Sequence, residues 1–74
     1  MDTITCYAIE SYNLKGERCI WDMSGEDWIT ENHIQDAGVN TYLGENKSFA
    51  ESVLRDALQR QFQMTTPKLI TYSR

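Results

Sequence analysis

Ser48-Phe49-Ala50-Glu51-Ser52-Val53-Leu54-Arg55-Asp56-Ala57-Leu58-Gln59-Arg60-Gln61-Phe62 is the stretch whose reading decides the fold. Ser48 followed three residues later by Glu51 is a capping box, in which each side chain satisfies a backbone N–H that the first helical turn leaves unbonded. From about Phe49 to Phe62 the apolar residues Phe49, Val53, Leu54, Ala57, Leu58 and Phe62 fall on one helical stripe. Glu51, Ser52, Arg55, Asp56, Gln59 and Arg60 occupy the rest, with Glu51–Arg55 and Asp56–Arg60 as acid-before-base pairs at i,i+4. Leu54 and Leu58 centre the stripe and are expected in the core.

A helix apolar on one side needs a partner layer, and the flanking sequence offers strands. Thr65-Thr66-Pro67 breaks the helix, and Lys68 to Tyr72 reads as a last strand. Before the helix, Val39 to Leu43 alternates and ends at Gly44-Glu45-Asn46, as a short third strand or an extended connection. Asn46-Lys47-Ser48 matches a glycosylation sequon but is read as supplying the helix cap. Further back, Ser24-Gly25-Glu26-Asp27 resembles a helix N-terminus and Ala37-Gly38 a stop, predicting one to three turns within residues 26 to 37. Residues 3 to 12 alternate as strand one, Asn13 to Gly16 turn, and Glu17 to Met23 alternate again. A two-residue and a three-residue loop give opposite registers for this hairpin, which leaves the buried side of strand one open.

The expected fold is therefore one α+β domain over residues 1–74, ordered β-β-short α-β-α-β. About four strands form a mostly antiparallel sheet, and one principal amphipathic helix packs on one face. Tyr7, Tyr12, Trp21, Trp28, Tyr42 and Tyr72 are more aromatics than one small core requires, so some are expected at the surface of the second sheet face.

The chain has 74 residues, 41% of them hydrophobic, which is enough for a core but leaves no room for a deep cofactor cavity. A net charge of −4 argues against direct binding of a phosphate backbone, which requires clustered Lys and Arg. No apolar run approaches a membrane span. Met1-Asp2-Thr3 lacks the basic and apolar regions of a signal peptide, so the expected compartment is the cytosol, that of the host if the chain is phage-encoded.

Charge is distributed unevenly. Residues 1 to 46 hold nine acids against Lys15 and Arg18, whereas residues 47 to 74 hold two acids against five bases. Between Asp22 and Glu45 six carboxylates occur without a Lys or Arg, a layout that steers a basic partner. The expected partner-binding residues are Asp22, Glu26, Asp27, Glu31 and Asp36, with Trp21 and Trp28 as neighbouring anchors. Competing with this is a solvated acidic loop, or pairing of the acids with Arg55, Arg60 and Lys68 after folding.

Other chemistries fit the residues less well. Asp22-x-Ser24-x-Glu26 starts like a calcium loop, but Asp27 stands where that loop needs Gly and His33 where it needs a bidentate acid. Cys6, Cys19 and His33 are too scattered for a zinc site. Cys19 falls across the hairpin from residues 10 to 12, several pairs from Cys6, so both thiols are expected free. No spacing selects a catalytic pair, and Glu26 and Asp27, being adjacent, diverge on a helix. Arg55, Arg60 and Lys68 beside Tyr72 form at most a small basic patch.

The expected function is that of a non-catalytic acidic module that binds, and blocks or regulates, a basic protein surface, one belonging to a nucleic-acid-binding complex. No cofactor, metal, direct nucleic-acid contact or membrane contact is expected. In size and composition the chain resembles accessory proteins of phages and mobile elements, including anti-CRISPR and anti-restriction inhibitors, with no residue motif carrying that likeness. The alternatives are an assembly subunit that forms a homodimer through its open sheet face, and a small enzyme or metal module around Cys19 and His33.

Overall fold

Asn13 sets the register that periodicity leaves open. Its side-chain Oδ1 accepts from the backbone N–H groups of Lys15 and Glu17, both at 2.9 Å, and its backbone N–H donates to the Glu17 carbonyl at 3.0 Å. Those bonds close a three-residue loop, Leu14 to Gly16, in which Gly16 takes φ 81°, a conformation that costs a residue with a Cβ. The computed structural model, which describes residues 5–60 and 65–73, thus pairs β1 (Thr5–Tyr12) with β2 (Arg18–Asp22) so that Ser11 faces Cys19 and Tyr12 faces Arg18. Odd-numbered residues of β1 and β2 share the helix-covered face.

β3 (Asp27–Thr30) follows β2 through a four-residue loop and pairs Asp22 with Asp27 and Trp21 with Trp28. The helix expected within residues 26 to 37 is corrected here to a strand and a single 3-10 turn, Glu31–His33. Asp22 explains the difference. Its Oδ1 accepts from Ser24 N–H at 3.0 Å and from Asn40 N–H at 2.8 Å, folding the Ser24 region into a turn instead of a helix start. The next residues, Trp28, Ile29 and Thr30, have strand-favouring side chains. Val39 to Leu43 takes the second of its two expected forms. It is an extended connection that runs on beside β1, where Tyr7 N–H donates to Gly44 (3.0 Å) and Leu43 N–H to Tyr7 (3.2 Å).

α1 (Lys47–Leu58) is capped by Asn46, whose side chain accepts from Phe49 N–H at 3.1 Å, and the cap expected of Ser48 moves two residues back. β4 (Lys68–Ser73) pairs antiparallel with β1, completing the order β3-β2-β1-β4. Thr65 ties down the approach to β4, accepting from Ser11 Oγ (2.7 Å) through its carbonyl and from Tyr12 N–H (3.0 Å) through its hydroxyl.

The helix crosses β1 and β4 and closes a core of Ile9, Cys19, Trp21, Trp28, Leu43, Ala50, Val53 and Ala57. Its buried line runs through two alanines and a valine because the sheet supplies the bulk. Measured from Ala57 at roughly 100° per residue, Phe49 lies about 80° to one side and Leu58 about 100° to the other. Both sit on the margins, 45% and 37% exposed, which corrects the expectation that Leu58 is core, while Leu54 packs half-buried against it. Phe62 lies outside the described residues. Neither Glu51–Arg55 nor Asp56–Arg60 closes to an ion pair.

The second sheet face is partly covered. Cys6, Ala8 and Ile20 are buried there. A shallow groove of about 270 Å³ runs between Ile20, Ile34, Thr41, Ile70 and Tyr72.

Candidate functional site

The alternation that puts Trp21 on the helix side of β2 also determines its partner. Cys19 bonds across to Ser11, so Ile20 and Asp22 turn their backbone groups toward β3, which leaves Trp21–Trp28 as a non-hydrogen-bonded pair. Such pairs bring side chains closest, and the two indoles meet edge to face, 5.3 Å between centroids and 72° between planes. Both are core residues, 3% and 9% exposed, and the expectation that they anchor a partner at the surface is corrected. The Trp28 indole N–H is buried without an acceptor among the described residues.

Folding separates the expected carboxylates by environment. Asp22 is buried and holds the turn and the extended connection at Asn40 together, so it is structural and out of a partner's reach. Glu31 lies 3.6 Å from Arg18 Nη1, while the Nε of the same guanidinium bonds Glu10. These carboxylates, the Glu10 hydrogen bond first, raise the Arg18 pKa above its ordinary value against the opposing effect of burial. Lys68 reaches the other Glu10 oxygen at 3.6 Å, so it pairs outside the Asp22–Glu45 cluster, and among the described residues neither Arg55 nor Arg60 forms an ion pair with that cluster. Asp36 pairs with His33 Nδ1 at 2.9 Å on an exposed turn.

Glu26, Asp27 and Glu45 are left exposed, with no cation within ion-pair distance among the described residues. They share one end of the sheet. β2 ends at Asp22 beside the start of β1, the loop after it carries Glu26 and Asp27, and Met23 N–H donates to Asn40 (2.8 Å) while Gly44 bonds Tyr7. The first turn of α1 starts at the same end and adds Lys47 and Phe49. Tyr42 and Phe49, 37% and 45% exposed, are the exposed aromatics of the two segments that reach this end. Phe49 was legible as an apolar residue but not as a marginal one, since its exposure depends on the helix meeting the sheet through alanine. Tyr42 stood among the surplus aromatics without a signal to separate it from Trp21 or Trp28.

Glu26 has a second peculiarity. It occupies the last loop position before β3 with φ 51°, left-handed backbone that usually selects Gly or Asn.

The other candidate groups are dispersed. Cys19 is sealed in the core, where burial pushes its thiol pKa up and Sγ donates weakly to the Glu17 carbonyl (3.6 Å), while His33 is exposed. Both cysteines are buried thiols outside any disulfide, and Cys6 stands opposite Tyr72 on β4, away from Cys19. Among the described residues no three His, Cys, Asp or Glu side chains converge as metal ligands. Nor is any described helix long and apolar enough to cross a membrane. Comparison of the chain with family models, curated proteins and solved structures gives no match.

Proposed function

We propose that this chain is a non-catalytic interaction module whose acidic end captures an Arg/Lys-rich protein surface and blocks or regulates it. The observation that carries the reading is selective compensation. Glu10 and Glu31 pair with Arg18 and Lys68, Asp36 bonds His33 and Asp22 is buried in backbone hydrogen bonds, whereas Glu26, Asp27 and Glu45 stand together at one end with no cation in ion-pair reach among the described residues, as Glu17, Glu51 and Asp56 do elsewhere on the surface. Three exposed carboxylates, with Lys47 the one cation that the described elements bring to this end, attract a basic surface over roughly a Debye length, about 8 Å at physiological salt. Tyr42 and Phe49 take over the anchoring role first assigned to Trp21 and Trp28, since large aromatics supply most of the contact energy once an encounter has formed. A partner basic enough for this is one built to hold nucleic acid, and the form of activity favoured is the anti-CRISPR or anti-restriction style of inhibition.

Charge reversal tests the proposal. The triple variant Glu26→Lys, Asp27→Lys, Glu45→Lys moves the net charge from −4 to +2 and replaces only exposed residues, the one hydrogen bond lost being that from Trp28 N–H to the Asp27 carboxylate. Association with an Arg/Lys-rich peptide is expected to weaken at least about tenfold at low salt, with the circular-dichroism spectrum unchanged. Equal binding by the folded variant overturns it.

A further inference from the structure

We infer that the free edge of β4 pairs with the β4 edge of a second copy of this chain, joining two sheets into one of eight strands around a twofold axis at Thr71. The inference comes from the ladder. Tyr7 spends its backbone N–H and C=O on residues 43 and 44, on the side of β1 away from β4, so by alternation Cys6, Ala8 and Glu10 bond β4. Their partners are Tyr72, Ile70 and Lys68. Leu69, Thr71 and Ser73 therefore point their N–H and C=O groups outward, where no described residue bonds them.

The sheet's other edge is protected and this one is not. β3 has four residues, and its outward Trp28 N–H is capped by the Asp27 carboxylate at 2.7 Å. β4 has six, from Lys68 to Ser73; its one charge, Lys68, stands at the start of the strand and reaches to Glu10 on β1, and among the described residues no side chain caps the outward backbone of Leu69, Thr71 or Ser73. Charges, caps and short length are the devices that keep an edge from templating another strand.

The outward groups also choose the partner's register. A twofold antiparallel pair must be centred on a residue facing its own copy, and that residue must be one whose backbone points outward. Centring on Thr71 uses all three outward residues and sets Thr71 opposite Thr71 and Leu69 opposite Ser73. Ile70 then stands opposite Tyr72 as a close, non-hydrogen-bonded pair. Thr–Thr and aromatic–β-branched pairs are among the favourable cross-strand combinations. Ile70 and Tyr72 also line the apolar groove on the second face, so that groove continues across the axis into its copy. Five residues of strand pairing, Leu69 to Ser73, fall short of the roughly 1,000 Å² that a stable interface clears, which makes the association weak and concentration-dependent.

The test uses the full chain. Sedimentation velocity from about 10 µM to about 1 mM is expected to show reversible dimerisation, as befits a small interface. Amide exchange at Leu69, Thr71 and Ser73 should slow with concentration, while Ile70 and Tyr72, already bonded to β1, stay unchanged. Thr71→Lys and Thr71→Glu each set like charges opposite one another and should raise the dissociation constant about fivefold or more. An equimolar mixture of the two should recover the dimer. A parent that remains monomeric throughout overturns the inference. So does dimerisation that both variants leave intact, or variants that lose it separately and fail to regain it when mixed.

Discussion

Trp28 shows how one position settles both a strand and a surface. Buried opposite Trp21 with its indole N–H unpaired, it contributes packing and carries a desolvation cost at once. Trp28→Ala should cost about 3–5 kcal/mol, a large share of what a domain this size has. Trp28→Phe should cost much less, under about 1.5 kcal/mol, because it removes a buried donor whose orphaning costs about 1–3 kcal/mol. Denaturant melts of both variants check this, and equal losses would contradict the unpaired indole. Glu26 is the opposite case, an exposed residue held in left-handed backbone. Glu26→Gly is expected to raise stability by about 0.5–1 kcal/mol, strain relief exceeding the extra chain entropy of Gly. The same variant should bind a basic peptide less well; a loss of stability would show that the turn does not need this φ.

Among the elements, α1 was readable because its polar and apolar residues separate at a 3.6-residue period whatever it packs on. Which members of the stripe are buried was not readable, since that depends on the bulk the sheet brings to the interface. Leu54→Ala should therefore cost about 2–3 kcal/mol and Leu58→Ala less than about 1 kcal/mol, measured by thermal unfolding. Equal losses would place Leu58 in the core after all. β3 was missed for a similar reason. Ser24 and Glu26 do carry helix-start chemistry, but the Asp22 carboxylate engages Asn40, eighteen residues away, and a bond of that range leaves no local pattern. The hairpin register was undecided between two loops and turned on one Asn side chain.

At the scale of the whole molecule, the acidic segment was legible as composition while its division into spent and free carboxylates was not. Arg18, which precedes the acidic run in sequence, reaches Glu31 and Glu10, and Lys68 comes from the far end of the chain to Glu10. What remains is a polarised domain, with Glu26, Asp27 and Glu45 at one end and the Arg18 network at the other. The most direct test of the interaction account is a titration of the isotope-labelled chain with a short Arg/Lys-rich peptide, followed by backbone amide shifts at low salt. A second titration at about 1 M salt, where the Debye length is about 3 Å, gives the electrostatic share. The account predicts shifts confined to residues 23–28 and 40–49, lost at high salt and in the triple charge-reversal variant. Shifts centred on Glu51 and Asp56, or spread evenly over the surface, or persisting in the folded triple variant, would contradict it.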